Sequence, residues 1–207
     1  MDKKTRIAVF VSGRGTNLQA IIDAEKSGII KSGKTELVIS DNPEAYALER
    51  AKANGIKTAV VLKNNGQAEF EKKISEILAE NKIEMIILAG FMCILSADFT
   101  SKWPERIINI HPSLIPSFCG KGCYGLHVHE KALAYGVKVT GATVHFVNEI
   151  PDGGRIISQK AVYIEDGDTP ETLQRRVMEQ AEWILLPAAA EKVAGEIAEK
   201  GESYGHL

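Results

Sequence analysis

A short apolar run followed by a glycine-containing turn and a helical pattern is the feature that most limits the fold of this chain. Residues Arg6–Val11 are almost continuously apolar, residues 12–16 have the composition of a turn, and Leu18, Ile21 and Ile22 recur at helical spacing. This pattern predicts a strand, a loop and a helix, with the strand buried on both faces. A chain that repeats such a unit forms a parallel sheet covered by helices.

The unit recurs through the first half of the chain. Further strands are predicted at Glu36–Ser40, Lys57–Leu62, Glu84–Ala89 and Arg106–Ile110. The predicted helices between them are Glu44–Asn54, the pattern of Phe70, Ile74, Ile77 and Leu78, and Ala97–Lys102. We therefore expect an α/β fold.

The pattern changes after His111. Two long strand candidates follow, Val137–Val147 and Arg155–Ile164, and Asn148–Gly154 joins them. This arrangement is typical of an antiparallel pair. We therefore expect an antiparallel addition to the parallel sheet.

The C-terminal part of the chain predicts a long helix. Thr169 precedes Pro170, which suits the first helical position, and Pro187 should kink the helix or restart it. Residues Gly201–Leu207 are expected to fray. With 207 residues, of which 44% are hydrophobic, the chain can bury one sizeable core, so a single domain is expected.

Charge and composition narrow the classes of partner. The formal net charge is −2, so no general basic field attracts nucleic acid or an anionic membrane, although a local anion site stays open. The first residues lack the pattern of a signal peptide or a membrane span, which predicts a cytoplasmic location. The three cysteines, Cys93, Cys119 and Cys123, are expected to be reduced.

The loop of residues 12–17, Ser-Gly-Arg-Gly-Thr-Asn, is the first candidate site. Glycines allow backbone N–H groups to approach an anion, and the N-terminus of the following helix adds a favourable dipole. The loop is not a Walker motif, and Leu18 stands where a dinucleotide fingerprint has its third glycine. It is either a phosphate cradle or only a tight turn.

A second candidate lies at the end of the predicted strand Arg106–Ile110. Asn109 and His111 point to the same side of an extended chain, so an amide and an imidazole converge there. Such a pair can stabilise an oxyanion, and a histidine can also transfer a proton. The alternative is a structural histidine at a strand end. Asp152, followed by two glycines, belongs either to an ordinary hairpin turn or to this site, where its carboxylate would raise the pKa of His111.

Two further segments have a composition that suits binding. Residues 88–95, Leu-Ala-Gly-Phe-Met-Cys-Ile-Leu, suit a slot for a flat heteroaromatic ring and equally suit core packing. Cys119, Cys123, His127 and His129 offer metal ligands within a short stretch, but their spacing is unlike that of common zinc sites. We expect no metal site.

The order of these motifs is more specific than any one of them. From about Ile7 to about Ala190 the chain resembles the folate-dependent glycinamide ribonucleotide formyltransferases. The segments that carry the resemblance are residues 12–21 (Ser-Gly-Arg-Gly-Thr-Asn-Leu-Gln-Ala-Ile), 88–92 (Leu-Ala-Gly-Phe-Met), 109–114 (Asn-Ile-His-Pro-Ser-Leu), 141–147 (Gly-Ala-Thr-Val-His-Phe-Val) and 152–154 (Asp-Gly-Gly).

The resemblance implies a fold and a set of roles. It implies a single domain over residues 1–207, with a mostly parallel sheet of seven strands and helices on both faces. About residues 1–105 would bind the nucleotide phosphate, and about residues 106–190 would hold the catalytic groups and the folate. The implied catalytic residues are Asn109, His111 and Asp152. The implied binding residues are Gly15, Thr16, Asn17 and Glu182 for the phosphoribosyl substrate, and Met92, Cys93, Ile94, Leu95 and Asn109 for the folate.

The implied reaction is transfer of a formyl group from 10-formyltetrahydrofolate to the amine of glycinamide ribonucleotide. Protonated His111 and Asn109 would donate to the formyl oxygen, and Asp152 would orient His111 and favour its imidazolium form. The implied partners are small molecules, without metal, nucleic acid or membrane, for a monomer or homodimer.

Two departures from the family concern the folate. Many relatives have arginine where this chain has Cys93, and a folate-contacting arginine aligns with Gln67. The loop Ser117–Tyr124 is also longer than in some relatives. The alternatives are a formyltetrahydrofolate hydrolase, a methionyl-tRNA formyltransferase and, from another class, a nicotinamide dinucleotide-binding module that uses Asp41.

Overall fold

The predicted strand and helix units form one sheet. In a computed structural model, which describes residues 3–203, the strands are β1 (Thr5–Val11), β2 (Gly33–Ser40), β3 (Lys57–Val60), β4 (Met85–Leu88), β5 (Ile107–His111), β6 (Val139–Phe146) and β7 (Ile156–Tyr163). The order across the sheet is β3-β2-β1-β4-β5-β6-β7. Strands β1 to β5 are parallel, while β6 is antiparallel to β5, and β7 to β6. This confirms the seven-stranded, mostly parallel α/β fold.

The helices connect these strands. They are α1 (Thr16–Ser27), α2 (Tyr46–Ala53), α3 (Gln67–Glu80), α4 (Ala97–Thr100), α5 (Leu126–Tyr135), α6 (Pro170–Val177) and α7 (Trp183–Ser203). The sequence did not predict α5. Its buried positions are Val128, His129 and Ala132, so a buried histidine and a small residue stand where a strong apolar stripe would have indicated a helix.

Strand β1 is buried on both faces, as the continuous apolar run predicted. Ile7, Val9 and Val11 belong to the core cluster that includes side chains of α1 and α7, and Ala8 and Phe10 to the cluster that includes those of α3. All five side chains are fully buried. Burial of a large apolar side chain contributes about 1.5–3 kcal/mol, so the alternating residues of β1 hold both helical layers on the sheet.

The long C-terminal helix is interrupted earlier than the sequence predicted. The expected break at Pro187 was wrong: Pro187 lies inside α7, and a π-helical turn, Met178–Glu182, separates α6 from α7. A proline ring collides with the carbonyl group four residues before it. The wider π turn ends immediately before that carbonyl, on Trp183, so the helix widens where the proline needs room.

Two remaining expectations concern the ends of the chain and membranes. Helix α7 includes residues 201–203 of the tail that was expected to fray, and residues 204–207 lie outside the described part of the chain. Within residues 3–203, none of the helices combines the length and the apolar character that crossing a membrane requires.

The connection between β6 and β7 folds tightly back on the sheet. The Gly153 N–H donates to the Ile150 carbonyl at 2.9 Å, which closes a four-residue turn with Pro151 in its second position. A Cβ atom on Gly154 would lie 1.7 Å from the carbonyl oxygen of Phe146. The chain can therefore pass this close to β6 only with glycine at residue 154.

We predict that Gly154→Ala destabilises the protein by about 1–3 kcal/mol, because the new methyl group must push β6 away from the turn. The matched control is Gly195→Ala in α7, where the nearest atom to an added Cβ is Ser32 Oγ at 3.5 Å. Alanine is the better helix former, so this change should be neutral or stabilising. Urea unfolding of both variants is the measurement, and equal stability of the two would show that the close approach at Gly154 is relieved without cost.

Candidate active site

The candidate site lies at the carboxyl edge of the parallel strands. The strand order reverses between β1 and β4, because β1 continues to β2 on one side and β4 continues to β5 on the other. Ligands of open α/β sheets bind in the crevice at such a point. The loop of residues 12–15 leaves β1 there, the segment of residues 89–95 leaves β4, and β5 ends in His111.

The loop after β1 turns its carbonyl groups towards its neighbours. The carbonyl of Ser12 accepts from Asn42 Nδ2 at 3.2 Å, that of Gly13 from the Ala47 N–H at 3.1 Å, and that of Arg14 from Arg50 Nε at 2.9 Å. In a planar trans peptide the N–H points away from the preceding carbonyl. The N–H groups of the loop therefore face away from α2, beside the N-terminus of α1.

Gly15 is required at the start of α1. It has φ of 72°, in the left-handed region that favours glycine, and an added Cβ would lie 2.6 Å from the Ala47 Cβ. The loop therefore packs on α2 with no room for a side chain. The first backbone N–H groups of α1, from Thr16 onwards, stay without helical partners, which makes this end of the helix suited to an anion.

Two of the residues assigned to the phosphoribosyl substrate contact each other. Asn17 Nδ2 donates to Glu182 Oε2 at 2.7 Å, although α1 and the π turn are far apart in sequence. Asn17 is 9% exposed, Glu182 is 6% exposed, and Asn17 Oδ1 has no hydrogen-bond partner among the described residues. Burial raises the pKa of Glu182 to about 7, against the opposing effect of the Asn17 hydrogen bond.

The side chain of Asn109 is hydrogen-bonded to His145, a residue for which the sequence predicted no role. In the antiparallel pair, His145 of β6 lies opposite Asn109 of β5. His145 Nδ1 lies 2.8 Å from the carbonyl of Phe146, which accepts its hydrogen and leaves Nε2 as an acceptor for Asn109 Nδ2 at 3.1 Å. An amide nitrogen carries two hydrogens, so Asn109 keeps a second donor for a ligand.

His111 is buried, with its two ring nitrogens facing different groups. Nε2 lies 2.9 Å from the carbonyl of Phe118, and Nδ1 lies 3.5 Å from Asp152 Oδ2. The Phe118 carbonyl therefore orients the ring as the Nε2–H tautomer. In this tautomer Nδ1 carries no hydrogen, so its contact with the Asp152 carboxylate is not a hydrogen bond, and Nδ1 is the less firmly held nitrogen.

Asp152 does not belong to an ordinary hairpin turn. Its φ of 56° places a non-glycine residue in the left-handed region, at the third position of the turn that Pro151 enters, where glycine or asparagine is usual. The carboxylate accepts from the Gly120 N–H at 2.8 Å and lies 3.7 Å from His145 Nε2. Burial alone would raise the pKa of Asp152, but His145, His111 and the Gly120 N–H together hold it below its usual value.

The expectation that Asp152 keeps His111 protonated needs correction for the protein without ligand. Burial is the largest effect and lowers the pKa of His111, while Asp152 and the Phe118 carbonyl oppose it without cancelling it. An unperturbed histidine titrates near pH 6.5. The ring is therefore mainly neutral at pH 7, and it can accept a proton.

A cleft joins these polar groups to an apolar surface. Its volume is about 110 Å³. It is lined by Leu88, Phe91, Cys93, Ile94, Leu95, Asn109, His145, Val147, Asn148, Ile150, Pro151 and Asp152. Three of the four residues of the segment 92–95 therefore lie beside Asn109 and Asp152. Met92 is outside the lining and is 51% exposed.

Cys93 and Gln67, the two positions that depart from the family pattern, form hydrogen bonds within this wall of the cleft. The Cys93 thiol donates to Asp41 Oδ2 at 3.2 Å, and burial together with Asp41 raises the pKa of Cys93 to about 11. Gln67 Nε2 donates to the carboxylate of Glu71 and to the carbonyl of Ile94, the latter at 3.0 Å. Neither position therefore presents a cation to the cleft.

The four candidate metal ligands do not come together. His127 pairs with Glu130 on the exposed side of α5, whereas His129 is buried and Cys119 and Cys123 lie in the preceding loop. Within residues 3–203 no group of three or more histidine, cysteine, aspartate and glutamate side chains is placed to hold a metal ion. A larger groove of about 660 Å³ runs between α1 and α7, but it contains none of Asn109, His111 and Asp152.

This arrangement combines a hydrogen-bond donor with a proton acceptor. Asn109 offers an N–H, neutral His111 accepts a proton, and Asp152 stabilises the imidazolium that forms. His145 was missed because a histidine within a strand pattern has no distinct signal. Its spacing from Asn109 becomes meaningful only when the register of β6 against β5 is known.

Comparisons with known proteins agree with this geometry. The family described as "Formyl transferase" matches residues 5–189. Phosphoribosylglycinamide formyltransferase of Haemophilus influenzae is 43% identical over 184 residues, which cover 88% of this chain and 84% of that protein. The trifunctional purine biosynthetic protein adenosine-3 of Homo sapiens is 44% identical over 203 residues, or 97% of this chain. The chain spans only 19% of the length of that trifunctional relative.

Solved structures show the same fold. Glycinamide ribonucleotide transformylase 1 from Symbiobacterium toebii matches with a TM-score of 0.86 and 39% identity, over 93% of this chain and 89% of that one. Phosphoribosylglycinamide formyltransferase from Coxiella burnetii matches with a TM-score of 0.85 and 37% identity, over 94% and 89%. The likeness therefore extends over more than nine tenths of this chain.

We predict that Glu182→Gln stabilises the ligand-free protein at pH 8 and not at pH 4. The raised pKa of Glu182 means that its ionisation costs folded-state free energy, and this cost appears as the pH rises from the unfolded value, near 4.3, through about 7. Removing the charge should therefore give up to about 3 kcal/mol at high pH and nothing at low pH. Melting temperatures across this range are the measurement.

The matched control is Glu191→Gln. Glu191 accepts from the backbone N–H groups of Lys31 and Ser32, and although its burial opposes them, these bonds lower its pKa. Its substitution should therefore cost stability above the unfolded pKa and little below it, the opposite dependence on pH. A Glu182→Gln curve that parallels the Glu191→Gln curve would contradict the buried, destabilising charge.

Proposed function

Because the chain belongs to the formyl transferase family, we propose that it transfers the formyl group of 10-formyltetrahydrofolate to the amine of N1-(5-phospho-D-ribosyl)glycinamide. This is a one-carbon transfer of de novo purine synthesis, between two small molecules and without a metal. The relative from Haemophilus influenzae is named for formyl transfer to phosphoribosylglycinamide, and the trifunctional relative from Homo sapiens is named for purine biosynthesis. The monomeric or dimeric state and the cytoplasmic location stay predictions.

The observation that carries the proposal is the meeting of three groups from distant parts of the chain. Asn109 from the end of β5, Asp152 from the β6–β7 turn and the apolar side chains of residues 93–95 line one cleft, with His111 beside Asp152. Acyl transfer from a flat heteroaromatic carrier needs this combination. The ring requires an apolar wall, and the developing oxyanion requires donors that point at one position.

The phosphoribosyl end of the substrate is assigned to α1 and the π turn. The phosphate would accept from the backbone N–H groups of Gly15, Thr16 and Asn17, where the helix dipole favours an anion. The ribose hydroxyl groups would donate to the Glu182 carboxylate and to Asn17 Oδ1, the buried oxygen without a partner among the described residues. A ligand hydroxyl at this oxygen would remove the cost of an unsatisfied buried acceptor.

Asn109 and His111 would perform the chemistry together. Neutral His111 takes the proton that the attacking amine releases, at Nδ1, and Asp152 stabilises the resulting imidazolium. The imidazolium and the second N–H of Asn109 then donate to the oxygen of the tetrahedral intermediate. As the bond from the formyl carbon to N10 breaks, His111 returns the proton to N10. Atoms and charge balance without a covalent enzyme intermediate.

The folate would enter between the segment of residues 92–95 and the β6–β7 turn. The cleft is small compared with typical ligand sites of about 300–1,000 Å³, and two exposed side chains stand at it, Ile94 (64% exposed) and Ile150 (57% exposed). These side chains would have to move apart to admit a pteridine. Because Cys93 and Gln67 supply no cation, the glutamate tail of the folate should contribute little to affinity.

We predict that the protein formylates glycinamide ribonucleotide in preference to water and to initiator tRNA, with 10-formyltetrahydrofolate as donor. The loop before α1 suits a small phosphorylated acceptor, and the net charge of −2 offers no general attraction for tRNA. Competition among the three acceptors, followed by the appearance of formylated product, is the measurement. Faster formate release than amine formylation would instead assign a hydrolase.

We further predict that Asp152→Asn lowers kcat by about a hundred- to a thousandfold or more, since the amide keeps the shape and loses the charge that stabilises the imidazolium. Affinity for the nucleotide should change little, because the phosphate site lies on α1. The pKa of His111 should fall further below its usual value. Turnover close to that of the parent would return Asp152 to the role of a turn residue.

Asp152 and His111 should behave as one unit. Adding His111→Ala to Asp152→Asn should cost much less than the product of the two single losses, because each variant alone already removes the stabilised imidazolium. A double-mutant cycle on kcat measures this coupling. Fully multiplicative losses would mean that the two residues work independently.

A further inference from the structure

The loop between β5 and α5 contacts both the ring of His111 and the carboxylate of Asp152. The Phe118 carbonyl accepts from His111 Nε2 at 2.9 Å, and the Gly120 N–H donates to Asp152 Oδ2 at 2.8 Å. Cys119 is the single residue between these two groups. Any rotation of the peptide units on either side of Cys119 therefore moves the partner of His111, the partner of Asp152, or both.

A second cysteine lies just across a tight turn. The Cys123 N–H donates to the Gly120 carbonyl at 3.0 Å, which closes a turn over residues 120–123, with Gly122 at φ of 77° in its third position. The ends of a β-turn lie within about 7 Å of each other, and a disulfide needs a Cα separation of about 4.4–6.8 Å. Cys119 immediately precedes this turn, and both cysteines are half-buried and therefore open to small reagents.

The thiols are held apart by weak contacts. The Cys119 thiol donates to the Pro116 carbonyl at 3.2 Å, and Lys131 Nζ donates to Cys123 Sγ at 3.2 Å and to the Gly122 carbonyl at 2.8 Å. Burial, Asp152 and the nearby Cys123 thiol raise the pKa of Cys119. The two thiols therefore lie close enough to interact electrostatically within one glycine-containing loop.

We propose that Cys119 and Cys123 are a thiol modification site, which a low-molecular-weight disulfide converts to an intramolecular disulfide that switches the active site off. The loss of activity rests on the proposed formyl transfer, whereas the disulfide and its effect on His111 do not. Neither cysteine has a part in the chemistry of the site.

The exchange balances without any further reactant. The Cys123 thiolate attacks one sulfur of the small disulfide, which forms a mixed disulfide and releases one small thiolate. The Cys119 thiolate then attacks the Cys123 sulfur, closes the internal bond and releases the second small thiol. The protein pair loses two electrons and two protons, and the small disulfide gains them as two thiols.

Closing the bond must pull Cys119 towards the turn. This movement breaks the thiol contact with Pro116 and rotates the peptide units that carry the Phe118 carbonyl and the Gly120 N–H. His111 then loses the acceptor that orients its ring, and Asp152 loses a donor. A displacement of about 1 Å in a catalytic group costs on the order of a hundredfold in rate.

The first test follows the bond and the ring without substrate. After incubation with oxidised glutathione, the intact protein should lose two hydrogens in mass, carry no glutathione, and fall from three titratable thiols to one. The NMR titration of His111 should move to lower pH, because the Phe118 carbonyl no longer favours the imidazolium. Stable mixed disulfides alone, or an unchanged His111 titration in the oxidised protein, would overturn the proposal.

The second test follows activity. Oxidised parent protein should lose about a hundredfold in kcat and recover it fully with dithiothreitol. Cys123→Ser is the matched control, since it keeps Cys119 and the turn; it should have parental activity and resist the same treatment. Equal inactivation of Cys123→Ser, or full activity of a parent protein that has formed the disulfide, would show that this pair is not a switch. If the parent never transfers formyl groups, the first test still decides whether the disulfide forms and displaces the loop.

Discussion

The antiparallel pairing of β6 with β5 is the interaction on which the candidate site depends. It places His145 opposite Asn109 and Thr143 opposite His111, and the turn that follows β6 brings Asp152 to 3.5 Å from His111 Nδ1. Because β6 is antiparallel, it ends beside Ile107, at the amino end of β5, so the turn reaches His111 by folding back along the sheet. The register of β6 and the folding back of its turn therefore bring the candidate catalytic groups together.

The balance between burial and neighbouring polar groups gives Asp152, Glu182 and His111 different charge states. Burial would raise the pKa of Asp152, but the nearby His145 and His111 rings and the Gly120 N–H outweigh this effect and keep it ionised, while the hydrogen bond from Asn17 does not offset the burial of Glu182, whose pKa rises to about 7. His111 is desolvated strongly enough to be neutral although an anion faces it. The candidate residues therefore include a fixed anion, a neutral imidazole and a carboxyl group that titrates near neutral pH.

Local sequence patterns predicted the strands well but missed one helix and the π turn. The run Arg6–Val11 became β1 with one residue added, because a strand buried on both faces needs continuous apolar sequence. Helix α5 and the π turn Met178–Glu182 were not predicted, because their buried histidine and carboxylate break the apolar period. The family resemblance, confirmed by the match over residues 5–189, supplied residues such as Glu182 that no local pattern indicates.

The sequence alone determined the α/β class, the single sheet and the motifs that can carry chemistry. The class and the sheet follow from local periodicity, and the motifs follow from residue types that have few common roles. Only the tertiary structure decided that Asp152 leaves the ordinary hairpin geometry, that His145 supports Asn109, and that the Phe118 carbonyl fixes the tautomer of His111. These outcomes depend on strand register and on desolvation. Both are set by contacts between residues that lie far apart in the chain.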